Sequence, residues 1–334
     1  MRAVLFFILL GIFMCADAKK ITDDYGRKVE VPDVVTKIYA ASPPLSMSLL
    51  AFNPDLIAAL NTPYKPEQKP YAGSSYTKPV AGGFFGQGQT PNFEVLAASK
   101  PDVIIMWGRM SGHEKVLAKF EKLGIPVLLV RNDSIQDLVS QFRLYGVLSG
   151  DIQRADALIA YTQETLRLIK SLQPKITQMK PTRYYFAQGI DGLSSECKGS
   201  FHLEPFRYSG GVNALDCEMT SNYGMEKVSM ESVLLAKPDV VIAMESAFAN
   251  GVAKDLRWKN LKAVEENRVY LVPSIPFNYI SRPPSFMRLI GIRWLIHTFY
   301  PTLLEGSIEE ERIRFEKVFF KIYKKESSYV SSKI

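Results

Sequence analysis

A chain of 334 residues, 47% hydrophobic and 22% charged, is long for one core, comfortable for two domains, and too apolar to be disordered over most of its length. Its net charge of +7 comes without a Lys/Arg run or a basic stripe interleaved with aromatics, which argues against a nucleic-acid partner. Three histidines with no paired spacing in the sequence disfavour a bare-metal site, and the G-x-S-x-G, H-E-x-x-H and phosphate-loop signatures of common enzymes are missing.

The chain starts "MRAVLFFILLGIFMCADAKK". Arg2, the short apolar run Ala3–Met14 and Ala16-Asp17-Ala18 describe a cleaved secretory signal over residues 1–18. The run is too short to span a bilayer, which takes about 20 residues. Cys15 offers lipidation as an alternative, although Met14 before it is large for that processing. In an exported protein Cys197 and Cys217 either form one disulfide or stay as two buried thiols, and the spacing leaves both open.

"ITDDYGRKVEVP" predicts two short strands around a turn at Asp23-Asp24 and Gly26. "KIYAAS" reads as a buried strand running into Ser42-Pro43-Pro44, a helix start continued by "LSMSLLAF". "PDVIIMWG" is a strand buried on both faces. "SGHEKVLAKFEKLG" follows as a helix, with Ser111 and Glu114 at capping-box spacing and Gly124 at its end. "IPVLLV" is the next strand. Ala155, Leu158, Thr162, Leu166 and Ile169 then recur at helical spacing, predicting a long helix from Asp151 that Pro174 kinks or ends.

Beyond Pro181 the plan repeats: "RYYFAQ", "PDVVIAM" and "RVYLVP" as strands, "KVSMESVLLAK" and "RPPSFMRLIGIRWLIHTFYP" as helices. Ser307 and Glu310 form a second capping box. It precedes a helix with Ile308, Phe315, Phe319 and Ile322 on one face, and the chain frays after Lys325. "NFEVLAASKPDVIIM" and "SMESVLLAKPDVVIAM" are near copies, with Glu94 and Glu231 137 positions apart. The expected fold is therefore α/β: two Rossmann-like lobes, residues 19–149 and 181–334 with the terminal helix. One long helix over 150–180 joins them, and the ligand cleft lies between them at the carboxyl ends of the strands.

These phrases, in this order with "DDYGRKVEVP", "GGVNALD" and "RWKNLKAVEENRVYLVP", resemble the helical-backbone (class III) periplasmic substrate-binding proteins of ABC importers for siderophores, haem and cobalamin, CeuE-like branch. The resemblance implies a non-enzymatic, monomeric receptor that delivers its ligand to an inner-membrane ABC permease, docking through Glu94 and Glu231. Without it, the two glutamates read as stabilisers of their own helix starts. The implied ligand is a metal chelate of Fe(III) or Ni(II), with no resident cofactor. Cobalamin or haem is the alternative within the class.

Expected cleft residues are Ser42, Phe84, Phe85, Trp107, Arg109, His113, Gln188, Phe201, Tyr223, Ser246, Tyr279 and Arg282. Tyr223 stands where that branch can carry a ligating histidine, and Tyr279 near its second ligating position. Tyr223, Tyr279 and His113 are the metal-ligand candidates. Arg109 and Arg282 favour an anionic chelate such as a ferric siderophore; the few histidines suit a nickel chelate. His297 reads as a core or interface histidine, His202 as a loop histidine, and Trp258 and Trp294 as structural. The competing classes are a metal-dependent hydrolase, which needs His113 and His202 to converge with carboxylates, and a surface adhesion protein.

Overall fold

The computed structural model describes residues 18–84, 90–109, 112–220 and 224–321. The leader with Cys15, Phe85, Ser111, Tyr223, Ile322 and the tail past Lys325 lie outside them. The first lobe opens with a hairpin of β1 (Ala18–Thr22) and β2 (Lys28–Pro32). The Asp23 carboxylate accepts from Tyr25 N, Arg27 N and Leu129 N, stitching the turn to the lobe behind it. Then come β3 (Ile38–Ala40), α1 (Pro43–Phe52), the single turn α2 (Lys69–Ala72), α3 (Phe93–Ser99), β4 (Val103–Trp107), α4 (His113–Glu121), β5 (Val127–Val130) and α5 (Leu138–Ser149). Strands β3, β4 and β5 form a parallel sheet in that order.

The linking helix α6 (Ile152–Gln178) has 27 residues, about 40 Å at 1.5 Å per residue. Pro174 does not end it; the helix holds the proline inside it and runs on to Gln178, at the cost of the one i→i−4 hydrogen bond its missing N–H would have made. Helices α5 and α6 form a tight pair. A Cβ on Gly146 would come 2.8 Å from Ala155 Cβ, so only glycine permits the approach.

The second lobe carries β6 (Arg183–Ala187), β7 (Ser194–Ser195), α7 (Glu204–Tyr208), β8 (Val212–Asn213), β9 (Glu226–Lys227), α8 (Met230–Ala236), β10 (Val240–Ala243), α9 (Ser246–Gly251), α10 (Lys262–Glu265) and β11 (Val269–Leu271). The parallel sheet has the order β11-β10-β6-β8, with β7 and β9 as a separate antiparallel pair. Helix α11 (Arg288–Phe299) starts later than "RPPSF" suggests, and α12 (Ile308–Phe320) completes the described chain. Among the described residues no helix is long and apolar enough to cross a membrane.

The repeated phrase has a structural meaning. Asn92 and Ser229 cap α3 and α8 through side-chain oxygens, and both helices end on a left-handed lysine, Lys100 and Lys237. The next aspartate pins the neighbouring strand. Asp102 accepts from Thr36 N (2.7 Å) and Lys37 N (2.8 Å) just before β3, and Asp239 accepts from Arg183 N (2.9 Å) at the start of β6. Each copy thus turns a helix into a strand and fixes that strand's register. Alternate residues of β4 and β10 then enter cores on opposite faces of their sheets, as a doubly covered parallel strand requires.

The terminal helix closes the back of the molecule. Its Ser307/Glu310 capping box forms as expected. Phe315 and Phe319 stack with Phe286, while Phe320 meets Tyr71 of the first lobe and Phe277 of the second. From the first turn of α6, Arg154 donates to the carbonyls of Phe52 (3.0 Å) at the end of α1 and Val318 (2.6 Å) near the end of α12. A guanidinium at two helix C-termini satisfies their last carbonyls and complements both dipoles.

Candidate ligand cleft

The carboxyl ends of β4 and β5 face the second lobe. Trp107 ends β4, and its ring meets Phe201 edge-on across the lobes, centroids 6.2 Å apart. Trp107 Nε1 donates to Asp133 (3.2 Å) and Arg109 pairs with the same carboxylate (3.2 Å), so one aspartate after β5 holds two of the cleft candidates of this lobe. Tyr25, at the tip of the hairpin, lies against Gly108, where any side chain would collide with its ring. Its phenol is pushed up from its usual value, first by burial and then by the Asp133 charge. The hairpin thereby contributes a residue to the rim of the cleft.

Opposite, the ring of Phe201 lies 4.0 Å from that of His202, whose Nδ1 bonds to Ser281 Oγ. Beside them Glu196 is fully buried; it accepts from Arg282 (2.8 Å), Ser200 Oγ (2.7 Å) and Met225 N (3.3 Å). Three loops, 196–203, 224–226 and 281–283, thus converge on one carboxylate. The Cys197–Cys217 disulfide forms, with Cα atoms 5.1 Å apart, and ties the first of these loops to the segment leading into the second. After β10, burial raises the Glu245 carboxyl above its usual range. A second buried pair, Arg288–Glu204 (2.7 Å), lies beneath the cleft, and Glu204 also accepts from Ile135 N of the first lobe (3.0 Å).

Trp107, Arg109, Phe201 and Arg282 therefore belong to this constellation. Ser42 precedes α1, but its buried hydroxyl makes no capping bond and has no hydrogen-bond partner among the described residues. Gln188 is fully buried, and neither side-chain amide atom has a hydrogen-bond partner among the described residues. Phe84 packs in the core of the first lobe, and Tyr279 is 2% exposed within the main core, so neither ring stands on an open wall. Ser246 is exposed at the first residue of α9. His113 heads α4, 3.5 Å from its neighbour Glu114. Among the described residues no three His, Cys, Asp or Glu side chains gather as a metal cluster. Trp258 is wholly buried and Trp294 packs on the core, both structural as expected. His297 is half-buried at the interface with the linking helix, as expected of a core or interface histidine, on a surface pocket of about 550 Å³.

Two α/β lobes on one long helix, with strand ends facing across a cleft, define a two-lobed solute receptor. Residues 49–276 match the family model described as "Periplasmic binding protein", and the chain belongs to that family. The structure of an ABC transporter solute binding protein from Sulfurospirillum deleyianum DSM 6946 aligns with a TM-score of 0.82 at 31% identity, covering 91% of this chain and 95% of that one. The "Vitamin B12-binding protein" of Vibrio cholerae serotype O1 is 24% identical over 195 residues, 58% of this chain and 67% of its own length. The molybdate-bound MolA of Haemophilus influenzae aligns with a TM-score of 0.74 at 19% identity, covering 92% of this chain and 99% of that one, a likeness of fold alone. The protein is a solute-binding component of an ABC importer, not an enzyme.

Proposed function

We propose that this chain captures a metal chelate, a ferric siderophore or a nickel chelate, between its lobes and hands it to an inner-membrane ABC permease. The observation that carries the reading is the meeting of Trp107 and Phe201 across the cleft. An aromatic wall with a few fixed polar groups suits a metal that arrives already coordinated. The placement of the histidines agrees: His113 is on the first lobe, His202 beside Ser281 on the second, and His297 away on α11. A corrinoid or haem is the second reading, supported by the same wall and by the name of the Vibrio cholerae relative.

Delivery in this reading runs through Glu94 and Glu231. Both are exposed in the first turn of matching helices, α3 and α8. Carboxylate–arginine pairs are strong and geometrically selective, so two of them at a fixed separation can read the spacing of the lobes. Replacing Glu94→Ala together with Glu231→Ala should abolish uptake of the chelate by cells while the purified variant keeps its affinity for it. An equal loss of affinity would overturn the docking assignment, and failure of the unmodified protein to retain any chelate would overturn the capture.

A further inference from the structure

We propose that the cleft selects a metal complex of zero or positive net charge over a polyanionic one. The inference rests on the chelate reading above and names the charge of the ligand. Arginines at a binding site ordinarily signal an anionic ligand, but here the two arginines of the cleft constellation, Arg109 and Arg282, are already matched. Arg109 is paired with Asp133 (3.2 Å) in the first lobe and Arg282 with Glu196 (2.8 Å) in the second. Glu196 is not an adjustable surface group. Its side chain has no solvent exposure, it holds Ser200 Oγ and Met225 N as well as Arg282, and any side chain on Gly224 would overlap its carboxylate. The loop backbone is folded directly over the charge.

The loops that follow the seven parallel strands extend the pattern. Over their described residues, 41–42, 108–109, 112, 131–134, 188–203, 214–220, 224–225, 244–245 and 272–287, they carry four cations, Arg109, Arg131, Lys198 and Arg282. Against these stand six carboxylates, Asp133, Asp191, Glu196, Asp216, Glu218 and Glu245. The ligand-facing end of a chain with net charge +7 is therefore the end with an excess of acid. A polyanion entering between the lobes meets an opposing field and finds Arg109 and Arg282 each holding a carboxylate, whereas a neutral complex loses nothing to either.

The test measures affinities of the full chain for three probes: a neutral ferric trihydroxamate, cobalamin, and a trianionic ferric tris-catecholate. The expected result is that one neutral probe binds at least about tenfold more tightly than the trianion, and that Glu196→Gln and, separately, the more exposed Asp133→Asn each shift that ratio towards the trianion by about tenfold. Because the readout is a ratio, a variant that merely loosens the loops moves both affinities together and counts against the proposal. Binding of cobalamin alone supports the charge assignment while removing the siderophore reading. Binding of the trianion as tightly as a neutral probe overturns the charge assignment and leaves the chelate reading standing. Binding of none of the three overturns both.

Discussion

Glu204 and Arg288 show how single residues join the lobes. Arg288 is 4% exposed and Glu204 2% exposed. The guanidinium spends its donors on Glu204, Ile280 O and Phe201 O, and the carboxylate reaches across to Ile135 N. Burial shifts both groups towards their neutral forms, Glu204 upward and Arg288 downward, and their mutual contact opposes it first, helped by the Ile135 N–H and Arg207 at Glu204 and by Glu196 at Arg288. Glu204→Ala strands a buried cation and should lower stability by about 3–5 kcal/mol in chemical denaturation, while Glu204→Leu combined with Arg288→Met should recover most of the loss. His297 gives a pH signature. Burial lowers its pKa, with Glu311 opposing and Arg293 adding to the shift. The unfolded chain then takes up the proton at higher pH than the folded one, so stability is fully present above the ordinary histidine value of about 6.5 and falls as pH drops through it. His297→Gln should flatten the decline in melting temperature between about pH 7 and about pH 5.

Among the elements, the terminal helix has the most consequence. It contributes the faces of Phe315 and Phe319 to the main core and joins both lobes through Phe320. Arg154→Ala removes a charged donor from the carbonyl ends of α1 and α12 and should cost about 3 kcal/mol. Amide exchange over residues 308–320 should accelerate more than exchange in the two sheets. Unchanged protection of that helix would show that its aromatic face alone holds it. Most elements were legible because each rests on local rules: the Asn92 and Ser229 caps, the Ser307/Glu310 box, the buried runs after Pro-Asp. The late start of α11 was not. Pro283 and Pro284 read as a helix opening, yet Arg282 is left-handed, with φ at 62°, and the segment through Ser285 stays a loop that brings Ser281 and Arg282 to the cleft. A residue before proline is biased away from helix, which is the signal that mattered there.

For the whole molecule, the two-lobe plan was readable from the duplicated phrase and the long helix, while much of the cleft chemistry was not. Trp107 and Arg109 follow an obvious strand, and Phe201 and Arg282 lie in loops that the family resemblance marks. Nothing in "SSECKGS" identifies Glu196 as the carboxylate on which three loops converge, because its partners are 4, 29 and 86 positions away. Asp133 and Tyr25 escape notice for the same reason: their roles come from packing between segments, not from spacing within one. Conversely Tyr279, prominent in sequence, is drawn into the core by its apolar neighbours in the same loop, Phe277 and Ile280. The lobes are joined by α6 and by α12 packing against both, an arrangement that on the proposed reading keeps the gap between them nearly fixed during capture.

Capture at that gap is the central claim, and tryptophan emission tests it directly. Trp258 is wholly buried and Trp294 packs on the core, which leaves Trp107 as the reporter at the cleft. Titrating the protein with iron and with nickel, each bare and chelated, should change the emission saturably for one chelate and for neither bare ion, and Trp107→Phe should remove the change. A saturable response to a bare ion, or a chelate response that survives Trp107→Phe, would contradict the site assigned here.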